Sequence, residues 1–473
     1  MQIGPAEIEL IVQQVVKNLG SEQAAQSTTA APKGDWGVFD RVEDAIDAAY
    51  TAQKRYIRDF SLENRNTIVS AIRKVCNENV NEISRMVKDE TRLGRYEDKI
   101  QKHLLIINKT PGPECLKTSA ISGDQGLMLE EPAPFGLIGA VTPTTNPTET
   151  IINNVIGMIS GGNAVVFNVH PSAKNCCAHV LKMINRAIVQ AGGPQNLATM
   201  VKEPTMETCD VISGSPKVRL MVGTGGMGMV NALLRSGKKT IGAGAGNPPV
   251  IVDETADIAR AAGQIFLGAS FDNNLLCLAE KEVFVLDQVA DQLVDGMIRE
   301  GAYLLNAQQL EQVTKTCLLY DGEWHVNKKW VGQDAGLILN AIGVTDHPDC
   351  RLLICQTPHD HPFVTVEQLM PVLPIVRCPS LDKAIEWAMA AEQGNRHTAS
   401  MFSQNIKNLT RFAKEVETTI FVKNAATLSG VGFNGEGFTT MTIAGPTGEG
   451  ITCARSFTRQ RRCVLADGGF RVI

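Results

Sequence analysis

Apolar residues recur at Ile8, Ile11, Val12, Val15, Val16 and Leu19, the spacing of one face of an α-helix. The pattern predicts an amphipathic helix over residues 1–19, stopped by Gly20. Residues 20–36 are rich in Ala, Ser, Thr and Gln, with Pro32 and Gly34, and read as a flexible linker that buries no core. From Trp36 the pattern changes. Residues 42–90 carry long helical periodicity. The turn Gly123-Asp-Gln-Gly126 followed by alternation from Leu127 to Leu129 predicts a β-hairpin. After Pro134, apolar runs at 137–141, 164–169 and 218–222 alternate with helical stretches at 149–160, 172–190 and 229–236. Repeated βαβ units of this kind predict an α/β fold with a parallel, doubly wound sheet. A second α/β stretch runs from about 250 to 440, and residues 445–473 read as an extended strand region. No internal repeat recurs at a fixed period.

Composition narrows the class. A chain of 473 residues exceeds one simple core and implies two or more domains. Hydrophobic residues make up 44% and charged residues 20%, ordinary for a globular protein. No run approaches the roughly 18 apolar residues of a membrane span, and the start lacks the basic region and cleavage site of a secretory signal. A net charge of -5 leaves no basic footprint for nucleic acid or a membrane surface. The twelve cysteines are scattered without CxxC pairs, so they read as reduced thiols in a reducing compartment. Cys355, His359, Asp360 and His361 cluster in sequence, but their spacing fits no usual zinc site, and no metal is expected.

Four motifs carry chemistry. Gly223-Thr-Gly-Gly-Met-Gly228 follows a strand and precedes a helix. Glycines there let a backbone approach a phosphate at a helix N-terminus, although a tight structural turn would look the same. His170-Pro-Ser-Ala-Lys174 lies at another strand-to-helix switch, with Ser172 placed to cap the helix. Lys174 in that first turn opposes the helix dipole unless an anion is near, which points to a phosphate; a plain solvated lysine is the other reading. Gly242-Ala-Gly-Ala-Gly-Asn-Pro-Pro249 makes a rigid loop permitting close approach, fit to border a site. Ser270-Phe-Asp-Asn-Asn-Leu-Leu-Cys277 sets a cysteine behind a polar, Asn-rich loop. A thiolate is the nucleophilic form and helix N-termini favour it, so Cys277 is a candidate nucleophile against the alternative of a buried core thiol.

Together these motifs resemble the aldehyde dehydrogenase superfamily, and within it the CoA-acylating propionaldehyde and acetaldehyde dehydrogenases of bacterial microcompartments. The likeness runs over nearly the whole chain. Its residues are Thr142-Pro-Thr-Thr-Asn-Pro-Thr-Glu-Thr-Ile-Ile-Asn-Asn154, Val169 to Lys174, Ile241 to Pro249 with Val252 to Asp257, Ser270 to Cys277, Glu367-Gln-Leu-Met-Pro-Val372, Phe421-Val-Lys-Asn424 and Pro446-Thr-Gly-Glu-Gly450. The resemblance implies an NAD-binding Rossmann-like domain at 37–242 interrupted by an oligomerisation hairpin at 119–136. It implies an α/β catalytic domain at 243–444 and an oligomerisation tail at 445–473, hence a homodimer or homotetramer.

The resemblance assigns the nucleophile to Cys277 and the oxyanion-hole side chain to the pair Thr145 and Asn146. The Asn stands one place later than in ordinary family members, which leaves open which of the two donates. His397 matches a histidine with a role in related CoA-dependent enzymes. Glu367 matches the glutamate holding the nicotinamide ribose. Gly223, Thr224, Gly225 and Gly228 match the pyrophosphate loop. Thr142, Pro143, Thr144, His170, Pro171, Ser172, Lys174, Gly242, Ala243 and Gly244 are the other residues expected to line the cofactors, NAD and coenzyme A.

Hydrolytic relatives place a general-base glutamate where this chain has Gly242, and no carboxylate stands in residues 242–246. Without a base to activate water, a thioester on Cys277 waits for a better nucleophile, such as the thiol of CoA. The expected reaction is oxidation of a short-chain aldehyde, propionaldehyde or acetaldehyde, with NAD+ and CoA to an acyl-CoA. A hydrolytic aldehyde or semialdehyde dehydrogenase and a non-catalytic scaffold are the competing classes. Residues 1–19 resemble encapsulation peptides, implying docking on shell or core proteins of a microcompartment in the bacterial cytoplasm. A helix folded back on its own domain is the plainer alternative.

Overall fold

The computed structural model describes residues 34–468, so the helix expected over 1–19 and the linker up to residue 33 lie outside the described residues. Two parallel sheets and one antiparallel arm organise the rest. The first sheet has six strands in the order Val38–Phe39, Ala198–Val201, Ala164–Asn168, Leu137–Val141, Val218–Thr224 and Thr240–Ala243. All its neighbours pair in parallel. The continuous apolar runs of the sequence form these strands because helices cover both faces and leave nothing polar to alternate. Strand Ala164–Asn168 is buried at every position.

The second sheet has seven strands in the order Tyr303–Leu304, Leu353–Gln356, Val372–Cys378, Glu282–Leu286, Pro249–Val252, Thr398–Phe402 and Ile420–Lys423, again all parallel. Its apolar core is centred on Val250, Ile251, Val283 and Ile375. Phe271, Leu276, Leu278, Ile420, Leu428 and Ile443 instead pack into the core of the first sheet. The two units are thereby welded along the edge where the site lies.

The turn at Asp124 closes a hairpin of Ser119–Gly123 and Gly126–Pro134, and the tail strand Thr458–Ala466 adds to it antiparallel. This three-stranded arm leaves Ile121, Val464 and Leu465 more than half exposed. Among the described residues no helix is long and apolar enough to cross a membrane, and no group of His, Cys, Asp and Glu is arranged to hold a metal ion.

Candidate active site

Parallel strands put their C-terminal ends on one edge, and the chain of the first sheet turns outward in opposite directions from Leu137–Val141. In open parallel sheets, ligands bind outside the carboxyl ends of the strands at such a switch point. Thr142 to Asn146, His170 to Lys174, Gly223 to Gly228 and Gly242 to Gly244 all leave strands on this edge. The glycines of the 223–228 turn divide in role. A Cβ on Gly223 would lie 2.6 Å from Leu233 Cδ1, so that residue lets helix Met227–Leu234 close on its strand. Cβ atoms on Gly226 or Gly228 would meet nothing within 4 Å, so the turn faces open space where a phosphate fits. The Thr224 hydroxyl is shared with Thr442 Oγ1 at 2.9 Å.

One expectation changes here. Ser172 caps no helix: it sits in the one-turn 3-10 helix Pro171–Ala173, and its own N–H donates to His170 Nδ1 at 3.2 Å. The ring of His170 performs the capping because Pro171 starts the turn one residue early. Lys174 pairs with the exposed Glu203. The N–H groups of Asn175 and Cys176 at the start of helix Lys174–Gln190 donate to the Glu90 carboxylate at 2.9 and 2.6 Å.

The second sheet contributes its opposite edge. Cys277, Glu367 and His397 each precede a strand, as does Gly246. A Cβ on Gly246 would come 2.6 Å from the Cys277 carbonyl oxygen and 2.9 Å from His397 Cγ, so only glycine lets these three segments meet. Gly246 N–H donates to Glu367 Oε1 at 3.4 Å. His397 is fully buried, shares Nδ1 with Thr398 Oγ1 at 2.8 Å and leaves Nε2 without a partner in the described residues. Burial, reinforced by Lys281, depresses its pKa to about 4. The ring is therefore neutral at pH 7.

Cys277 is half-buried, and burial pushes its thiol up to about 12, with Glu367 adding to the effect. Lys281 and the N–H groups of Cys277 and Leu278 oppose the shift. No helix begins at Cys277; the residue follows the short turn Phe271–Asn274. In the free enzyme its alkylation by iodoacetamide should therefore rise about tenfold per pH unit from pH 6 to 9, because only the thiolate reacts. A plateau below pH 8 would show an acidic thiol and overturn this.

The loop before Cys277 is unusual. Asp272, Asn273 and Asn274 are all left-handed, at φ 47°, 54° and 62°. Asp and Asn tolerate that region best after glycine. Each is anchored. Asp272 Oδ1 accepts from Arg95 N–H at 2.8 Å, and its N–H donates to Asp98 Oδ2 at 3.0 Å. Asn273 Nδ2 donates to Asp334 Oδ1 at 2.9 Å, and Asn274 Nδ2 to the carbonyls of Ala269 and Glu280 at 3.0 and 2.9 Å. Lys281 donates to the carbonyls of Asn274 and Leu276 at 2.9 and 3.1 Å. Burial holds the Lys281 pKa below its ordinary value, with Glu367 the largest opposing influence.

Where a hydrolytic enzyme would need its base, Gly242 is closed in. Its Cβ would lie 2.5 Å from Val230 Cγ1, and its N–H donates to Thr447 Oγ1 at 3.0 Å.

Residues 36–322 match the model of the aldehyde dehydrogenase family. The chain belongs to the aldehyde dehydrogenase family. Its relatives in the family include an acetaldehyde dehydrogenase (acetylating) of Bilophila wadsworthia, 46% identical over all of both chains. A propionaldehyde dehydrogenase from the fucose utilisation microcompartment of Clostridium phytofermentans superposes with a TM-score of 0.89 at 46% identity, over 91% of this chain and 98% of that one. A propionaldehyde dehydrogenase of Rhodopseudomonas palustris, solved with bound CoA and an acylated cysteine, gives 0.89 at 45% identity over 92% and 99%.

For this family member, the structure gathers Cys277, Glu367 and His397 round Gly246, and sets the other motifs on the facing edge of the first sheet. Sequence reasoning missed the buried charges Lys99, Lys102, Glu149 and Lys281. On a helix, Lys99 and Lys102 look like any solvated face; the run Asp272-Asn-Asn274 was the one signal of a left-handed anchor nearby.

Proposed function

We propose that this protein is a CoA-acylating, NAD-dependent aldehyde dehydrogenase acting on acetaldehyde or propionaldehyde. The observation that carries the reading is a cysteine gathered with Glu367 and His397 round Gly246, together with a general-base position closed off at Gly242. Cys277 Sγ attacks the aldehyde carbon and forms a thiohemiacetal. The N–H groups of Cys277 and Leu278 that face the sulfur, with Thr145 or Asn146, serve the developing oxyanion. The open glycine turn at Gly226 and Gly228 and the half-buried Glu367 fit NAD, with Gly223–Gly228 at the pyrophosphate and Glu367 at the ribose. When bound, NAD+ supplies the hydride acceptor. The thioester left on Cys277 finds no carboxylate among residues 242–246 to activate water, so it persists until the CoA thiol displaces it. We assign proton transfer at a thiol to His397, neutral at pH 7 and with Nε2 unpartnered among the described residues.

The microcompartment relative supports a working place inside such a shell, reached through residues 1–19. The exposed apolar arm of Ser119–Gly123, Gly126–Pro134 and Thr458–Ala466 supports a homodimer or homotetramer. The test is a burst experiment with propionaldehyde. Without CoA, NADH should form in one equivalent per chain and stall; adding CoA should restart it with equal acyl-CoA. Sustained turnover to free acid without CoA would establish the hydrolytic class instead.

A further inference from the structure

Lys102, on the helix Tyr96–Lys109, is almost wholly buried, yet the chemistry above does not use it. Its ammonium donates to Asn146 Oδ1 at 2.7 Å and to Asp272 Oδ2 at 2.6 Å, and pairs with Glu149 Oε1 at 2.9 Å. Two of its protons are thus given to hydrogen-bond acceptors, and the Glu149 carboxylate lies within ion-pair distance. An ammonium accepts nothing, so it can face only the oxygen of the Asn146 amide. The amide is thereby oriented: Nδ2 turns the other way, one of its protons going to Thr145 Oγ1 at 3.2 Å and the second left to donate. A freely rotating amide would present its oxygen to a developing oxyanion part of the time, and the two would repel.

We infer that Lys102 is a positioning residue for the acyl-transfer chemistry, holding the Asn146 amide with its N–H side toward the oxyanion, so that Asn146 and not Thr145 is the side-chain donor. The inference rests on the proposed reading of Cys277 and its oxyanion site. Burial disfavours the charge on Lys102, but Asp272 and Glu149 outweigh it and keep the group protonated. The same pairing holds the buried Glu149 carboxyl well below the usual range. Removing Lys102 falls on Asn146 and on the buried Glu149 carboxylate, and much less on Asp272. Asp272 keeps Lys99 at 3.2 Å and the Arg95 N–H at 2.8 Å, whereas Lys102 is the one hydrogen-bond donor to Asn146 Oδ1 among the described residues.

The test is a double-mutant cycle on kcat with propionaldehyde, NAD+ and CoA, using Lys102→Met and Asn146→Ala. Asn146→Ala should lose about 100-fold in kcat, the usual cost of one oxyanion donor. Lys102→Met should lose a similar factor with KM little changed, and the double variant less than about 3-fold more than Asn146→Ala alone. Should Lys102→Met not fold, Lys102→Met/Glu149→Gln removes the orphaned carboxylate and serves in the same cycle. If Lys102→Met costs as much in the Asn146→Ala background as in the parent, Lys102 acts elsewhere and the inference is overturned while the oxyanion reading stands. If Asn146→Ala keeps the parental rate, the donor role itself is wrong.

Discussion

Replacing Cys277 with alanine is expected to abolish aldehyde-dependent NADH formation, by a factor of about 10⁴ or more, and with it every trace of acyl-enzyme. A nucleophile that forms the covalent intermediate leaves no alternative route when removed, so the loss belongs to the chemical step. The site around it should survive. Cys277 is flanked by Leu276 and Leu278, which pack into the first core, and the loop is anchored through Asp272, Asn273 and Asn274. NAD binding, followed by fluorescence quenching, should therefore stay within a few-fold of the parent. Intact-protein mass spectrometry after mixing with propionaldehyde and NAD+ should show a propionyl adduct on the parent and none on Cys277→Ala. An adduct of the same mass on the variant would move the nucleophile to another cysteine.

The second large effect is on stability. Asp272→Ala should destabilise the protein by about 3–5 kcal/mol, the usual cost of leaving buried charge without its partner. Asp272 faces Lys99 and Lys102, both almost fully buried, at 3.2 and 2.6 Å. Alanine also has no side-chain bond to offset the left-handed backbone at φ 47°. For a chain of this length the melting temperature should fall on the order of 5–10 °C. Asp272→Asn keeps an acceptor and the tolerance for left-handed geometry and should lose less than half as much. Equal melting of Asp272→Ala and the parent by differential scanning calorimetry would show that Lys99 and Lys102 find other anions.

Much of the fold was legible because its signals are local. Runs such as Leu137–Val141 and Ala164–Asn168 are short, apolar and bounded by turns, and the hairpin announced itself through Gly123 and Gly126. The reading of Ser172 as the helix cap failed for a tertiary reason. Capping depends on which side chain reaches which N–H, and Glu90 comes from a distant segment. The raised pKa of Cys277 was no more legible in the sequence. A thiol's pKa is set by what surrounds it, and here Glu367 and the desolvating walls arrive from elsewhere in the chain.

The sequence by itself determined the α/β alternation, the glycine turn, the cysteine in its Asn-rich loop and the missing carboxylate at Gly242. These depend on residue type and spacing along a few turns of chain. The tertiary structure alone decided which edges of the two sheets face each other, why Gly246 must be bare, and which amide orientation Asn146 adopts. Those follow from contacts between residues far apart in sequence, such as Lys102 with Asp272, and a buried ion pair leaves no periodic trace in the chain that encodes it.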